Sequence, residues 1–118
     1  MLLKLNHMQR LNLHALMGAQ RADVAGIRAI WAIQDKLALT AEEETAIELK
    51  REFVGGRERV LWNPALALPR KDFVLADTEL ARVKTALESW EGYGVDAERP
   101  WLESLLEMVF GRGEEPAN

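Results

Sequence analysis

Breakers and capping residues constrain this chain more than any other feature. Gly18, the Gly55-Gly56 pair, Pro64, Pro69, Gly92, Gly94 and Pro100 recur so often along its 118 residues that only short helices and short strands fit between them. No uninterrupted apolar run is long enough to span a bilayer. The best-specified piece starts at Thr40-Ala41-Glu42-Glu43, which reads as a capping box. The Thr40 hydroxyl accepts from the Glu43 amide, and the Glu43 carboxylate reaches back to the Thr40 amide. Its glutamates sit at the positive end of the helix dipole, and Lys50 and Arg51 then fall at the negative end. The pattern predicts a helix from Thr40 to about Phe53, stopped by Gly55-Gly56.

Four further helices follow from the same signals. The first runs from about Asn6 to Met17 with Leu11, Leu13 and Leu16 apolar and Gly18 as its C′ residue. The second is capped by Asp23 and reaches about Leu39. Ile27, Ile30, Trp31 and Gln34 share one face, and Ile33 and Leu37 broaden it. Gly26 in its first turn costs about 1 kcal/mol against Ala and marks a close-packing point or a softened start. A fourth helix starts at Asp77 or Thr78, carries Leu80, Val83, Ala86, Leu87 and Trp90, and stops at Gly92. A fifth, capped by Asp96 with Pro100 in its first turns, takes its apolar side from Trp101, Leu102, Leu105, Leu106, Val109 and Phe110. Between the third and fourth helices the period changes to that of strands. Arg57–Trp62 and Lys71–Leu75 are rich in β-formers, and Asn63–Pro69 between them is bounded by prolines. These segments predict a β-hairpin with a seven-residue tip, which must lie against helices because two strands alone are marginal in water. The fold expected is α+β and mainly helical, about five helices with one central β-hairpin in the order ααα-ββ-αα. It forms a single domain over residues 1–110 followed by a flexible tail at 111–118.

Several chemistries are disfavoured. There is no cysteine, which removes disulfides, thiolate nucleophiles and Cys-type metal sites. His7 and His14, the two histidines, lie about 10 Å apart along a helix, whereas chelating pairs sit at i and i+3 or i+4. They are expected at the surface or its boundary, with no metal. Glu42-Glu43-Glu44 is explained by capping. Gly55-Gly56 lacks the spacing of a phosphate loop. Ser89 and Ser104 lie in helix patterns with no nucleophile elbow. No catalytic residue, cofactor or enzymatic activity is therefore expected.

Charge is the uneven feature. The chain carries −4 overall. Between Lys50 and Lys71 there are six basic and two acidic residues, a balance of +4. The remainder must then carry −8. Arg57 and Arg59 share one strand face. Trp62 stands at the mouth of the proline-bounded tip, while Trp31, Trp90 and Trp101 fall on apolar helix faces. Arg57, Arg59, Trp62, Arg70 and Lys71 are the candidate partner-binding residues. The same cations also fit a simpler role, blunting exposed strand edges.

Taken together, a leucine-rich opening, Ile27-Arg28-Ala29-Ile30, Leu39-Thr40-Ala41-Glu42-Glu43-Glu44, Val60-Leu61-Trp62-Asn63-Pro64 and Lys71-Asp72-Phe73-Val74-Leu75 resemble small proteins encoded by tailed bacteriophages and prophages. The likeness covers about Leu11 to Phe110. This chain departs from that pattern in its longer tip, Ala65–Arg70, and its glycine-rich tail. The family has no established activity, so the resemblance implies a phage or prophage origin and a non-enzymatic role, cytoplasmic in the host cell or associated with the virion. The leading expectation is protein–protein interaction with a virion component or a host protein. A second reading is a nucleic-acid-associated regulator with a helix-turn-helix-like pair in the second and third helices. Its weakness is that three glutamates open the helix that would approach phosphates. A third is a self-associating component of a particle. No membrane association is expected, and no signal peptide, since Asn6, His7, Gln9 and Arg10 interrupt the apolar N-terminus. Met8 is an alternative start to Met1.

Overall fold

The computed structural model describes residues 1–111. The elements are β1 (Leu2–Leu5), α1 (His7–Gly18), α2 (Val24–Leu37), α3 (Ala41–Ala46), β2 (Lys50–Val54), β3 (Arg57–Leu61), β4 (Lys71–Val74), α4 (Asp77–Ser89) and α5 (Arg99–Phe110). The α+β, mainly helical class and the five helices agree with the sequence. The strand pairing does not. Arg57–Leu61 pairs antiparallel with Lys50–Val54, and Lys71–Val74 pairs antiparallel with the N-terminal Leu2–Leu5. The hairpin is therefore closed by Gly55-Gly56, with φ of 60° and 79°, the two-residue type I′ geometry that only glycine adopts cheaply at both positions.

That turn also explains why the third helix is short. The Thr40–Glu43 capping box is present, but α3 ends at Ala46, and Glu48 takes a left-handed φ of 54° to turn the chain into β2. Lys50 and Arg51 are strand residues, not a helix C-terminus. The sequence from Ile47 to Val54 alternates with period two, and pairing with β3 satisfies a backbone that a continued helix would have left facing Gly55.

The core lies between the β1–β4 sheet and four helices. Leu3, Leu5, Phe73 and Leu75 point inward from the sheet. They meet Leu13 and Met17 of α1, Ile30, Ile33 and Leu37 of α2, Val83, Ala86 and Leu87 of α4, and Trp101, Leu105 and Val109 of α5. Burying each Leu, Ile, Val, Met or Phe among them contributes about 1.5–3 kcal/mol. The expected apolar stripes hold for Ile30/Ile33/Leu37 and for Trp101/Leu102/Leu105/Val109. Trp31 and Trp90 are corrections: both are exposed, Trp31 at 59%. Trp31 stands one position off the buried stripe, and Trp90 lies past the last turn of α4.

Caps differ in detail. Asn6 and Gln9 form a capping box on α1, and Asp23 caps α2 through the Gly26 amide. Gly18 is inside α1, with Ala19 as the cap in a right-handed conformation, so the expected C′ glycine is absent. Its lack of a side chain matters for packing: a Cβ there would come within 2.9 Å of Gln34 Nε2 of α2. α4 starts after Ala76 with no side-chain cap, and α5 starts after Glu98, not at Asp96. Residues 112–118, most of the expected tail, lie outside the described part of the chain.

Candidate functional site

The β2–β3 hairpin stands outside the core. Every residue of β2 is exposed, and β3 is half-buried only at Val60 and Leu61. The expected hairpin, Arg57–Trp62 with Lys71–Leu75 lying against helices, is therefore corrected in partner and in placement. The observed one is anchored at its base alone. Strand parity assigns its two faces. Arg51, Phe53, Glu58 and Val60 share one face, with Trp62 continuing it. Lys50, Glu52, Val54, Arg57, Arg59 and Leu61 share the other.

Beneath the first face lies a groove of about 420 Å³. Leu11 and Ala15 of α1, Leu37 at the end of α2 and Leu39 after it, and Leu49, Val60 and Trp62 of the hairpin base give it apolar walls. Two of the charges lining it, Arg51 and Glu44, are paired with each other. Arg51 forks onto Glu44, with Nη2 at 2.7 Å from Oε1 and Nη1 at 3.2 Å from Oε2. That guanidinium holds the Glu44 carboxyl below the usual range, and the carboxylate in turn raises Arg51. The pair pins the hairpin to α3.

Of the buried polar residues, Arg10 lines this groove and His7 packs against its Trp62 wall. Arg10 is 2% exposed. Its Nε donates to the Leu37 carbonyl at 3.1 Å, Nη2 to the Ala38 carbonyl at 2.8 Å, and both Nη atoms to Glu43. The guanidinium also lies 5.0 Å from the Phe73 ring centroid. Glu43 thus serves the Thr40 cap and Arg10 together, and this pulls its pKa down to about 2, the Arg10 hydrogen bond being the largest cause. His7, expected at the surface or its boundary, is instead buried, 4% exposed. Its Nδ1 accepts from the Leu68 amide at 3.3 Å, which assigns the proton to Nε2. Its ring meets Trp62 edge-on, with centroids 6.4 Å apart and planes at 83°. His7 Nε2 and Trp62 Nε1 are both buried with no hydrogen-bond partner among the described residues. Burial first, then the Arg10 charge, lowers the His7 pKa, and burial also lowers that of His14.

No protein-family model, curated protein or solved structure matches this chain. Its geometry has to carry the functional argument.

The five sequence-selected residues do not form one patch. Arg57 and Arg59 lie on the hairpin face turned from the groove, whereas Trp62 lines the groove. Lys71 opens β4 of the other sheet, and Arg70 directly precedes it. Met1 and Leu75 exchange both backbone hydrogen bonds, so Leu2, Lys4, Asp72 and Val74 turn their backbone groups outward. Arg70 Nη1 donates to the outward Lys4 carbonyl at 3.0 Å, and Lys36 Nζ to the outward Val74 carbonyl at 3.4 Å. Cations therefore occupy an outward carbonyl on each open edge. This is the edge-blunting role weighed from sequence.

Sequence reasoning missed Phe53 and Val54, which are 77% and 57% exposed beside the turn. A glycine pair flanked by alternating segments was the available signal. The distinctive Asn63 after Trp62 closes the hairpin base. Its amide donates to the Ile47 carbonyl, its Nδ2 to Glu48 Oε1, and its Oδ1 accepts from Ala65. Among the described residues no three His, Asp or Glu side chains lie close enough to share a metal ion. No described helix is long and apolar enough to cross a membrane.

Proposed function

We propose that the chain is a small non-enzymatic binding protein whose β2–β3 hairpin engages a protein partner. The observation that carries this reading is the hairpin itself. It leaves the core with an uncovered Phe53-Val54 tip and three cations, Lys50, Arg57 and Arg59, on one face with a single carboxylate, Glu52. An isolated two-stranded ribbon is marginal in water. Covering Phe53 alone would contribute about 2 kcal/mol. A partner presenting an apolar pocket ringed by acidic groups would complement this arm. On the resemblance noted in the sequence, that partner is a virion component or a host protein. The nucleic-acid reading draws no support from α3, which is six residues long and begins Ala41-Glu42-Glu43-Glu44.

The test is capture with the immobilised chain, identification of the retained protein, and calorimetry with that purified protein. Phe53→Asp combined with Arg57→Ala and Arg59→Ala should weaken binding at least tenfold, whereas Arg28→Ala on α2 should leave it unchanged. Equal affinity of the triple variant and wild type would sink the proposal.

A further inference from the structure

A second recess, of about 350 Å³, lies between α4 and the segment joining α1 to α2, and no residue of the hairpin contributes to it. Arg21 and Arg82 both line it, together with Gln20 and Thr78. Ile30 and Ala81 add apolar surface. No carboxylate lines this recess, although the chain is acidic overall and each of the other two recesses described has at least one glutamate in its wall. Among the described residues neither arginine forms an ion pair. Two arginines therefore line one concavity, and no described carboxylate lines it with them.

Two helix N-termini border the recess, and the acids on them, Asp23, Asp77 and Glu79, lie outside its lining. The Arg82 guanidinium lies against the first turn of α2, so closely that a Cβ on Gly26 would come within 2.9 Å of both Nη atoms. Thr78 is the second residue of α4. A helix N-terminus carries partial positive charge, so a cation held there is at an electrostatic disadvantage that an anion would relieve. Asp23 is the nearest acidic residue on α2, and it caps the Gly26 amide at 2.8 Å. On α4, Glu79 is paired with Lys36 at 2.7 Å. The Thr85 hydroxyl is already spent on the Ala81 carbonyl, which leaves Thr78 and Gln20 as the neutral donors.

We infer that this recess binds a phosphate monoester on a small organic body, with Arg21 and Arg82 forking onto the phosphoryl oxygens. Guanidinium is the side chain whose planar donors match such oxygens in pairs. The volume exceeds what a bare phosphate fills and falls at the lower end of small-molecule pockets. Ile30 and Ala81 then lie against the organic part.

The test follows backbone amide shifts of the isotope-labelled full chain at constant ionic strength. The probes are inorganic phosphate and glycerol phosphate. Both should give saturable shifts at Gly26, Thr78 and Arg82, and the ester should bind more tightly. Arg82→Gln and Arg21→Gln should each weaken binding about tenfold, as expected for losing one charged hydrogen-bonding partner. Arg82→Lys, which keeps the charge and loses the fork, should fall between. Both arginines are exposed, so the variants should keep the wild-type amide dispersion. Shifts that grow without saturating, or saturable binding unchanged in both glutamine variants, would overturn the site. An ester no tighter than phosphate would overturn the organic half of the assignment. Arg57→Ala with Arg59→Ala should bind both probes as wild type does, which separates this site from the hairpin.

Discussion

Glu43→Gln isolates the charge that joins α1 to the start of α3. Glutamine keeps a carbonyl oxygen for the Thr40 amide, which Glu43 accepts at 2.9 Å, so the capping box survives. What it loses is the carboxylate facing Arg10. The hydrogen bond from Arg10 is the main reason the Glu43 pKa falls from 4.5 to about 2. At about 1.4 kcal/mol per pH unit, that drop corresponds to roughly 3 kcal/mol. The Glu43 side chain is 19% exposed, so water screens part of the attraction and about 2 kcal/mol remains. The folded-state pKa lies below the unfolded one, so as pH falls the unfolded chain takes up the proton first. The stabilisation is complete above about pH 5 and is lost between 4.5 and 2. Urea unfolding of wild type and Glu43→Gln should differ by about 2 kcal/mol at pH 7 and by about half that at pH 3. Arg10→Met should cost more, about 3–5 kcal/mol, because it strands a carboxylate and the Leu37 and Ala38 carbonyls together. A Glu43→Gln effect below about 0.5 kcal/mol at pH 7, or one equal at pH 3 and pH 7, would refute the reasoning.

Three other expectations follow. Because burial and the Arg10 charge lower the His7 pKa, the unfolded chain is protonated first and stability falls as pH drops below about 6.5, the ordinary imidazole value. His7→Gln should flatten the fall in Tm between pH 7 and pH 5, and an unchanged fall would exclude His7 as its source. Gly55→Ala and Gly56→Ala meet open space but inherit positive φ, at about 1–2 kcal/mol each. Since the hairpin packs mainly on itself, amide exchange should accelerate in β2 and β3 while α1 and α5 stay protected; equal acceleration in α1 would contradict that independence. Arg70→Ala removes the donor on the Lys4 carbonyl and should promote edge pairing between molecules. Light scattering should then rise with concentration more steeply than for wild type, and matching curves would count against the edge role.

Local chemistry was legible in the sequence wherever it acts within a few residues. The Thr40–Glu43 box, the Asp23 cap and the period-3.6 stripes of α2 and α5 depend on neighbours along the chain, and they are where the pattern places them. Strand partnership was not legible because it depends on distant segments. Lys71–Val74 could have closed on Arg57–Leu61 across the proline-bounded loop. Leu2–Leu5 competes for it with inward Leu3 and Leu5, which cover the helices as no hairpin strand could. Only Leu3-Lys4-Leu5 hinted at this strand, and the run of leucines obscured its alternation. The buried polar residues of α1 misled for a related reason. Gln9 looks like a break in an apolar face, yet it is fully buried because it donates to the Trp101 carbonyl at 3.2 Å and to Ser104 Oγ at 2.7 Å on α5.

The same distinction governs the basic stretch. Charge segregated in sequence is not charge segregated in space, because pairing and strand parity redistribute it. Of the six cations between Lys50 and Lys71, Arg51 is neutralised by Glu44, Arg70 donates to a backbone carbonyl, and Lys71 lies close enough to Glu43 to help depress its pKa. Lys50, Arg57 and Arg59 remain, all on one face of the hairpin, with Glu52 directly across from Arg59. That face therefore carries about two net charges beside an apolar tip, and Glu58 lies on the opposite face. Electrostatics on that scale steers an encounter and sets its orientation, while buried apolar area holds the complex. Binding through this arm should therefore weaken only mildly with salt and steeply with loss of Phe53, the inverse of what a phosphate-backbone contact would give.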